Sequence, residues 1–315
     1  MKRVIQYIVL TVTAFVYAEA GAQQVALTSQ YDLVSSLQNP AYNGINNTIR
    51  VDGISRVQWM NFPGSPKYTG LAVQTPVSQS FALGGSFQSL GVGDFEFAPP
   101  LSMSSYCIDL AYHKKILKNL NIATGIRTGL FSFGMNLGQL KSEVPNDIAV
   151  AGNNYSFNSP LIGGGVLAYG KNYYAGISIP QFAVISDRII ENVNLNYNAR
   201  SYYLFTAGYV QHLLRNKFAL KPTVQIRKYE GLKEQIDANI YLYYRSDFML
   251  GYGYRSSGSH QINGMLKVNS YFNIYYLYEF GRFVNEGISF NSQEFGLRYE
   301  LNYREQKVKT PPRYY

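Results

Sequence analysis

Gln235-Ile236-Asp237-Ala238-Asn239-Ile240-Tyr241-Leu242-Tyr243-Tyr244-Arg245 alternates without a break. Ile236, Ala238, Ile240, Leu242 and Tyr244 share one face. Gln235, Asp237, Asn239, Tyr241, Tyr243 and Arg245 share the other. A period of two is the mark of a β-strand with one apolar and one polar face. The same pattern opens the chain's strand-forming region, where Ile49, Val51, Gly53, Ser55, Val57 and Trp59 oppose Arg50, Asp52, Arg56 and Gln58. It closes it as well, with Phe295, Leu297, Tyr299, Leu301 and Tyr303 against Glu294, Gly296, Arg298, Glu300, Asn302 and Arg304. These runs are about 10–11 residues long. Ordinary globular strands have about 5–6 residues, whereas a tilted membrane-spanning strand needs about 9–11. Run length therefore predicts an all-β transmembrane barrel.

About fourteen such runs lie near 48–59, 67–76, 81–89, 103–113, 120–131, 161–169, 172–179, 201–212, 218–228, 234–245, 248–255, 261–269, 271–280 and 294–303. An even count suits an antiparallel bacterial barrel. Connection length alternates too. Val77–Ser80, Lys114–Asn119, Gly170–Lys171, Leu213–Lys217, Ser246–Asp247 and Ser270 are short, while Ser132–Pro160 and Pro180–Arg200 are long. Outer-membrane barrels have short periplasmic turns and longer outer loops. The expected layout is then a signal peptide over 1–22, a periplasmic N-terminal segment over 23–47, a barrel over 48–303 and a basic periplasmic tail over 304–315, with both termini periplasmic.

Lys2 and Arg3, the apolar Val4–Ala18 and the small Ala20-Gly21-Ala22 follow one another in signal-peptide order, which sets the mature start at Gln23. Composition agrees with export into a membrane. Of 315 residues, 29 are Tyr and only 15% are charged, so the chain is not of the disordered class. A mean hydropathy of −0.14 excludes a bundle of spanning helices. One Cys excludes a disulfide framework and a Cys-based zinc site. The net charge of +9 fits a polar lumen or a surface facing acidic partners; no nucleic acid is expected.

No catalytic constellation emerges. His113, His212 and His260 stand in separate runs without ligand spacing. Ser259-His260 lacks a marked orienting acid. Asp94 and Glu96 share one loop, too close together to oppose each other across a sugar. Gly163-Gly164-Gly165 lacks the Lys and the helix of a phosphate loop, and small residues there favour close contact. Cys107, Arg127 and Arg298 are predicted to face the lumen, while Tyr202, Tyr244, Tyr278 and Tyr303 are predicted to join interfacial girdles. No enzyme, cofactor or metal site is expected.

A resemblance appears at the mature N-terminus. Thr28-Ser29-Gln30-Tyr31 leads, after a spacer, to Asn39-Pro40-Ala41-Tyr42-Asn43-Gly44, then Arg56-Val57-Gln58-Trp59 and Gly64-Ser65-Pro66-Lys67. This order resembles the PorP/SprF family of the type IX secretion system. The likeness continues in Tyr173-Tyr174-Ala175-Gly176-Ile177-Ser178-Ile179-Pro180, Phe205-Thr206-Ala207-Gly208-Tyr209 and Leu220-Lys221-Pro222, and covers about residues 29–302. Val25-Ala26-Leu27 replaces the family's acidic start, and Ser292-Gln293-Glu294 replaces its Ser-His-Glu. The resemblance implies a non-enzymatic outer-membrane barrel serving protein secretion or gliding motility. Its implied partners are outer-membrane lipid and either a periplasmic ring lipoprotein with its companion or a secreted adhesin with a type B C-terminal signal. Within this sequence, Asn39-Pro40 and Asn43-Gly44 are turn chemistry, in a segment that either docks a partner, partly plugs the lumen or simply turns. Arg56 and Gln58 are placed to pin an inner segment by hydrogen bonds. Trp59 suits an interfacial anchor, and Gly64-Ser65-Pro66 a tight outer connection. The partner or plug candidates are thus Gln30, Tyr31, Asn39, Pro40, Tyr42, Gly44, Arg56, Gln58, Trp59 and Pro66. The other reading is a porin or specific channel, because about fourteen strands lie between filled and water-bearing barrels.

Overall fold

The computed structural model describes residues 28–93, 100–136, 154–181, 185–190, 193–198, 201–214, 217–229, 231–282 and 287–302. The signal peptide, Gln23, Asp94, Glu96, Tyr303 and the basic tail fall outside the described residues. The strands are β1 (Thr48–Val57), β2 (Lys67–Pro76), β3 (Phe81–Val92), β4 (Leu101–Leu117), β5 (Leu120–Asn136), β6 (Asn154–Tyr169), β7 (Tyr173–Ile179), β8 (Ile185–Ile190), β9 (Val193–Asn198), β10 (Tyr202–Tyr209), β11 (Gln211–Leu213), β12 (Phe218–Tyr229), β13 (Gln235–Tyr244), β14 (Phe248–Arg255), β15 (Ser259–Lys267), β16 (Phe272–Arg282) and β17 (Ser289–Asn302). β10 and β11 are one wall strand interrupted at Val210. β8 and β9 pair only with each other. The remaining strands pair antiparallel with their neighbours in sequence, β7 joins β10, and β1 closes on β17 from Thr48↔Asn302 to Val57↔Gln293. The result is the expected closed barrel of fourteen strands.

Alternation sets the two faces. Ile108, Ile126 and Ile162 point outward and are 67%, 65% and 63% exposed. Their inward neighbours Asp109, Arg127 and Leu161 are buried. Arg298 and Cys107 also face inward, as expected, and Cys107 is a buried free thiol. The prolines obey the ladder. Pro160 sits where β6 has no partner on its β7 side, since β7 joins β6 only from Gly164 onward. Pro222 falls where the pairing of β12 with β10 and β11 is interrupted, so no donor is lost.

Three expectations need correction. The Ser132–Pro160 connection is shorter than its sequence suggests, because β5 runs to Asn136 and β6 starts at Asn154. Inward aromatic pairs extend this ladder, with the Phe133 and Phe157 rings stacked at 5.2 Å. The Pro180–Arg200 connection contains the β8–β9 hairpin. Tyr202 is not a girdle residue: it faces inward, beside Tyr229 at 5.2 Å, and Tyr203 faces outward. The run Tyr202-Tyr203-Leu204-Phe205 is apolar on both faces, so alternation alone does not fix its side. Tyr244 and Tyr278 do face outward.

An outward position near mid-strand tests the lipid-facing assignment. Ile126→Arg is expected to lower unfolding stability in lipid vesicles by about 2–4 kcal/mol, read by denaturant titration. Ile126→Leu should be near neutral, and equal stability of the two variants would refute the assignment.

Candidate functional site

The barrel's interior is occupied by its own N-terminal segment. Residues 28–47 lie inside the wall, almost all buried, and enter β1 at Thr48. Thr28 is level with Arg56 and Arg255, near the long-connection ends of β1 and β14. Gly44 lies beside Ala82 and His113, near the short turns. The segment thus crosses the lumen from end to end. Its backbone is compact: a one-turn helix, Ser35–Gln38, is followed by a 3-10 turn, Pro40–Tyr42. Asn39 caps that turn by accepting the Ala41 N–H at 2.9 Å, with Pro40 at the first helical position. Gly44 has φ +79°, a conformation that glycine adopts without Cβ strain.

Four polar anchors hold the segment. At the long-connection end, Glu294 accepts the backbone N–H groups of Ser29 at 2.7 Å and Gln30 at 3.1 Å, and the Thr28 hydroxyl at 3.0 Å. Arg56 bridges Glu294 and Glu279, and its Nη1 donates to Ser29 Oγ at 3.3 Å. Arg255 pairs with Asp237 at 2.6 Å and Glu279 at 2.8 Å, and donates to Ser29 Oγ at 2.7 Å. In mid-barrel, Arg127 grips Asp109 through two bonds of 2.7 Å and donates to the Leu37 and Ser36 carbonyls at 2.6 Å. Those carbonyls end a helix and have no partner within it. Arg298 similarly joins Asp52 at 2.7 Å to the Leu33 carbonyl at 2.6 Å. Fourth, Asp32 accepts from the Tyr174 hydroxyl at 2.6 Å and lies 3.3 Å from Lys221 Nζ.

Neutral contacts complete the fit. Asn239 donates to the Tyr31 hydroxyl at 3.0 Å, and the Tyr31 and Thr223 hydroxyls bond each other at 2.7 Å. Tyr42 bonds Thr206 at 3.1 Å, the Gly44 N–H donates to Gln74 Oε1 at 2.8 Å, and His113 Nε2 donates to the Asn43 carbonyl at 2.7 Å. Leu33, Val34 and Leu37 pack with Ile54, Tyr68 and Ala72, while Ala41, Tyr42 and Ile45 pack with Ala123, Leu167 and Tyr174. Glycines on the inner wall make the bed. A Cβ at Gly125 would strike the Pro40–Ala41 backbone, and one at Gly165 would strike Asn39. The space beside the segment, between Gln30, Asp32, Asn263 and Arg298, is a cavity of about 40 Å³, enough for a few waters.

The sequence candidates divide into two groups. Gln30, Tyr31, Asn39, Pro40, Tyr42, Gly44 and Arg56 come together inside the barrel. Gln58, Trp59 and Pro66 instead shape the β1–β2 connection: the Gln58 N–H donates to the Pro66 carbonyl at 2.9 Å, and Ser65 Oγ donates to the Trp59 carbonyl at 2.6 Å. Trp59 has φ +55° and meets Phe290 edge to face at 6.4 Å. Gln58 therefore contributes its backbone to that connection and not a side-chain pin on the inner segment. Sequence reading missed Asp32, Lys221, Glu279 and Glu294 as anchors; the available signal on the wall was a charged residue on each polar face. Among the described residues no group of His, Cys, Asp or Glu is arranged to hold a metal.

The Arg127 anchor gives a direct test. Arg127→Met leaves Asp109 buried without its cation and frees the Ser36 and Leu37 carbonyls. A loss of about 3–5 kcal/mol is expected, with faster protease cleavage within 28–47. Adding Asp109→Asn should recover part of the loss, and a purely additive double variant would refute the coupling.

Comparisons place the chain among known proteins. The toluene transporter TodX of Pseudomonas putida is 11% identical, with 86% of this chain and 94% of that one aligned and a TM-score of 0.51. The TodX deltaS2S3 mutant, a monoaromatic hydrocarbon channel, is 10% identical, with 85% and 94% aligned and a TM-score of 0.53. Likeness at this identity concerns the barrel fold alone. No curated protein matches the chain in sequence. The family described as type IX secretion system membrane protein PorP/SprF matches residues 20–302, nearly the whole of the barrel and its inner segment. The chain belongs to the PorP/SprF family of type IX secretion system membrane proteins.

Proposed function

We propose that this protein is a non-enzymatic outer-membrane anchor of the type IX secretion and gliding machinery, which holds or presents ring lipoproteins or a secreted surface adhesin. Family membership supports the machinery, and one structural observation supports anchoring over conduction. The lumen is filled by the chain's own residues 28–47, tied to the wall by ion pairs and by backbone bonds to buried Arg and Glu side chains. A lumen held shut in this way is a poor diffusion path and a rigid body to pull against. Thr48 and Asn302 both lie at the short-turn end, which supports periplasmic exits for the chain. Gln30, Tyr31, Asn39, Pro40 and Tyr42 are buried and Gly44 half-buried, so in this state their role is to set the plug. Gln58, Trp59 and Pro66, on an outer connection, are the candidates available to a secreted adhesin.

The porin reading makes the opposite forecast. In planar bilayers the full-length protein is expected to give no steady open-channel current, and deletion of 28–45 should produce one. Affinity purification of a tagged protein from mildly solubilised outer membranes should bring along a ring lipoprotein or a large adhesin. Steady current from the intact protein, together with purification of the barrel alone, would replace anchoring by conduction.

A further inference from the structure

The short turns carry charge of one sign. Lys114, Lys115 and Lys118 stand at the β4–β5 turn and Lys171 at β6–β7, all exposed. Lys217 precedes β12, Arg245 begins the β13–β14 turn and Lys267 ends β15, exposed as well. Among the described residues of these turns the one acid is Asp247, 3.8 Å from Lys267. The long connections, by contrast, mix both signs in their sequence, Asp94, Glu96, Glu143, Asp147, Asp187 and Glu191 with Lys141, Arg188 and Arg200. Seven exposed cations against one acid therefore leave this end of the described barrel net positive.

A belt of outward aromatic side chains lies just inside these cations. Phe81 and Tyr112 pair across β3 and β4 with centroids 5.0 Å apart. Phe218 and Tyr244 pair across β12 and β13 at 5.1 Å. Tyr173 begins β7 and Phe272 begins β16, both exposed. Amphipathic rings sit at headgroup depth, so cations one or two residues beyond them stand at the level of lipid phosphates.

Arg245 supplies an independent observation. Arg245 and Ser246 have φ +49° and +63°, and the turn is closed by the Asp247 N–H on the Tyr244 carbonyl at 3.0 Å. Such a turn favours glycine or asparagine at both central positions. Here one of them holds a guanidinium, 5.2 Å from the Tyr244 ring centroid.

We propose that the short-turn rim is a seat for anionic phospholipid headgroups, in which the lysine ammoniums and the Arg245 guanidinium bind phosphodiester oxygens. A leaflet is the partner that fits. The cations occupy successive turns around the barrel at one depth, and most adjoin an outward aromatic residue. A docked protein would instead call for a patch on one side.

The test uses the full chain reconstituted in vesicles of equal phosphatidylglycerol and phosphatidylcholine. The protein is then extracted in mild detergent, and the lipids that stay bound are counted by mass spectrometry. Severalfold enrichment of phosphatidylglycerol is expected. It should fall to the bulk ratio in a K114Q/K115Q/K118Q/K171Q variant and stay unchanged in a K228Q/K233Q variant at the opposite end. Arg245→Gly relieves the left-handed backbone, so it should keep or raise thermal stability while lowering phosphatidylglycerol retention. Bulk lipid ratios in the wild type, or equal loss in both lysine variants, would overturn the proposal. So would polyglutamate shielding the rim lysines from acetylation without any lipid enrichment, which would assign the rim to an acidic protein.

Discussion

A guanidinium inside a barrel has to find acceptors, and the interior of this one is organised around that need. Arg56, Arg127, Arg255 and Arg298 all point into the lumen, where leaving a charge unpaired costs several kcal/mol. Each meets a carboxylate on a neighbouring wall strand, and each then has donors to spare. The N-terminal segment supplies the remaining acceptors: the Ser29 hydroxyl and the carbonyls of Leu33, Ser36 and Leu37. The wall and the plug thus share these bonds. Neither is fully hydrogen-bonded alone, so barrel closure and plug seating are coupled.

The same coupling explains the shape of the segment. A helix of one turn has few internal bonds and would not persist in water. It persists here because its last carbonyls are capped by Arg127 and its apolar side chains pack on Ile54, Tyr68 and Ala72. The wall makes room with glycine where the plug's backbone comes closest, at Gly125 and Gly165. The outer surface answers a different solvent. Its apolar side chains meet lipid, aromatic rings mark the boundary, and cations gather beyond the short turns. One period-two pattern thus serves a charged interior and an apolar exterior at once.

The barrel was legible in the sequence because its cause is local. Strand length, alternation and turn length depend on residues next to one another, as in Gln235–Arg245, and an outward Ile and an inward Asp are distinguishable on sight. Local signals failed where both faces carry the same character, as at Tyr202-Tyr203-Leu204-Phe205. They failed also where aromatic pairs lengthen a ladder past the alternating run, as between Phe133 and Phe157.

Residues 28–47 mark the boundary between the two kinds of information. Their turn chemistry, Asn39-Pro40 and Asn43-Gly44, is written locally and is found as read. Their place in the lumen is not, because it depends on partners far along the chain: Thr28 bonds Glu294 across 266 positions, and Gln38 meets Gln225 across 187. Local alternation is enough to specify a closed barrel, since periodicity follows from the pleat. What fills that barrel is set by long-range contacts, because closing the wall is what brings buried charges from distant strands onto the backbone of one short segment.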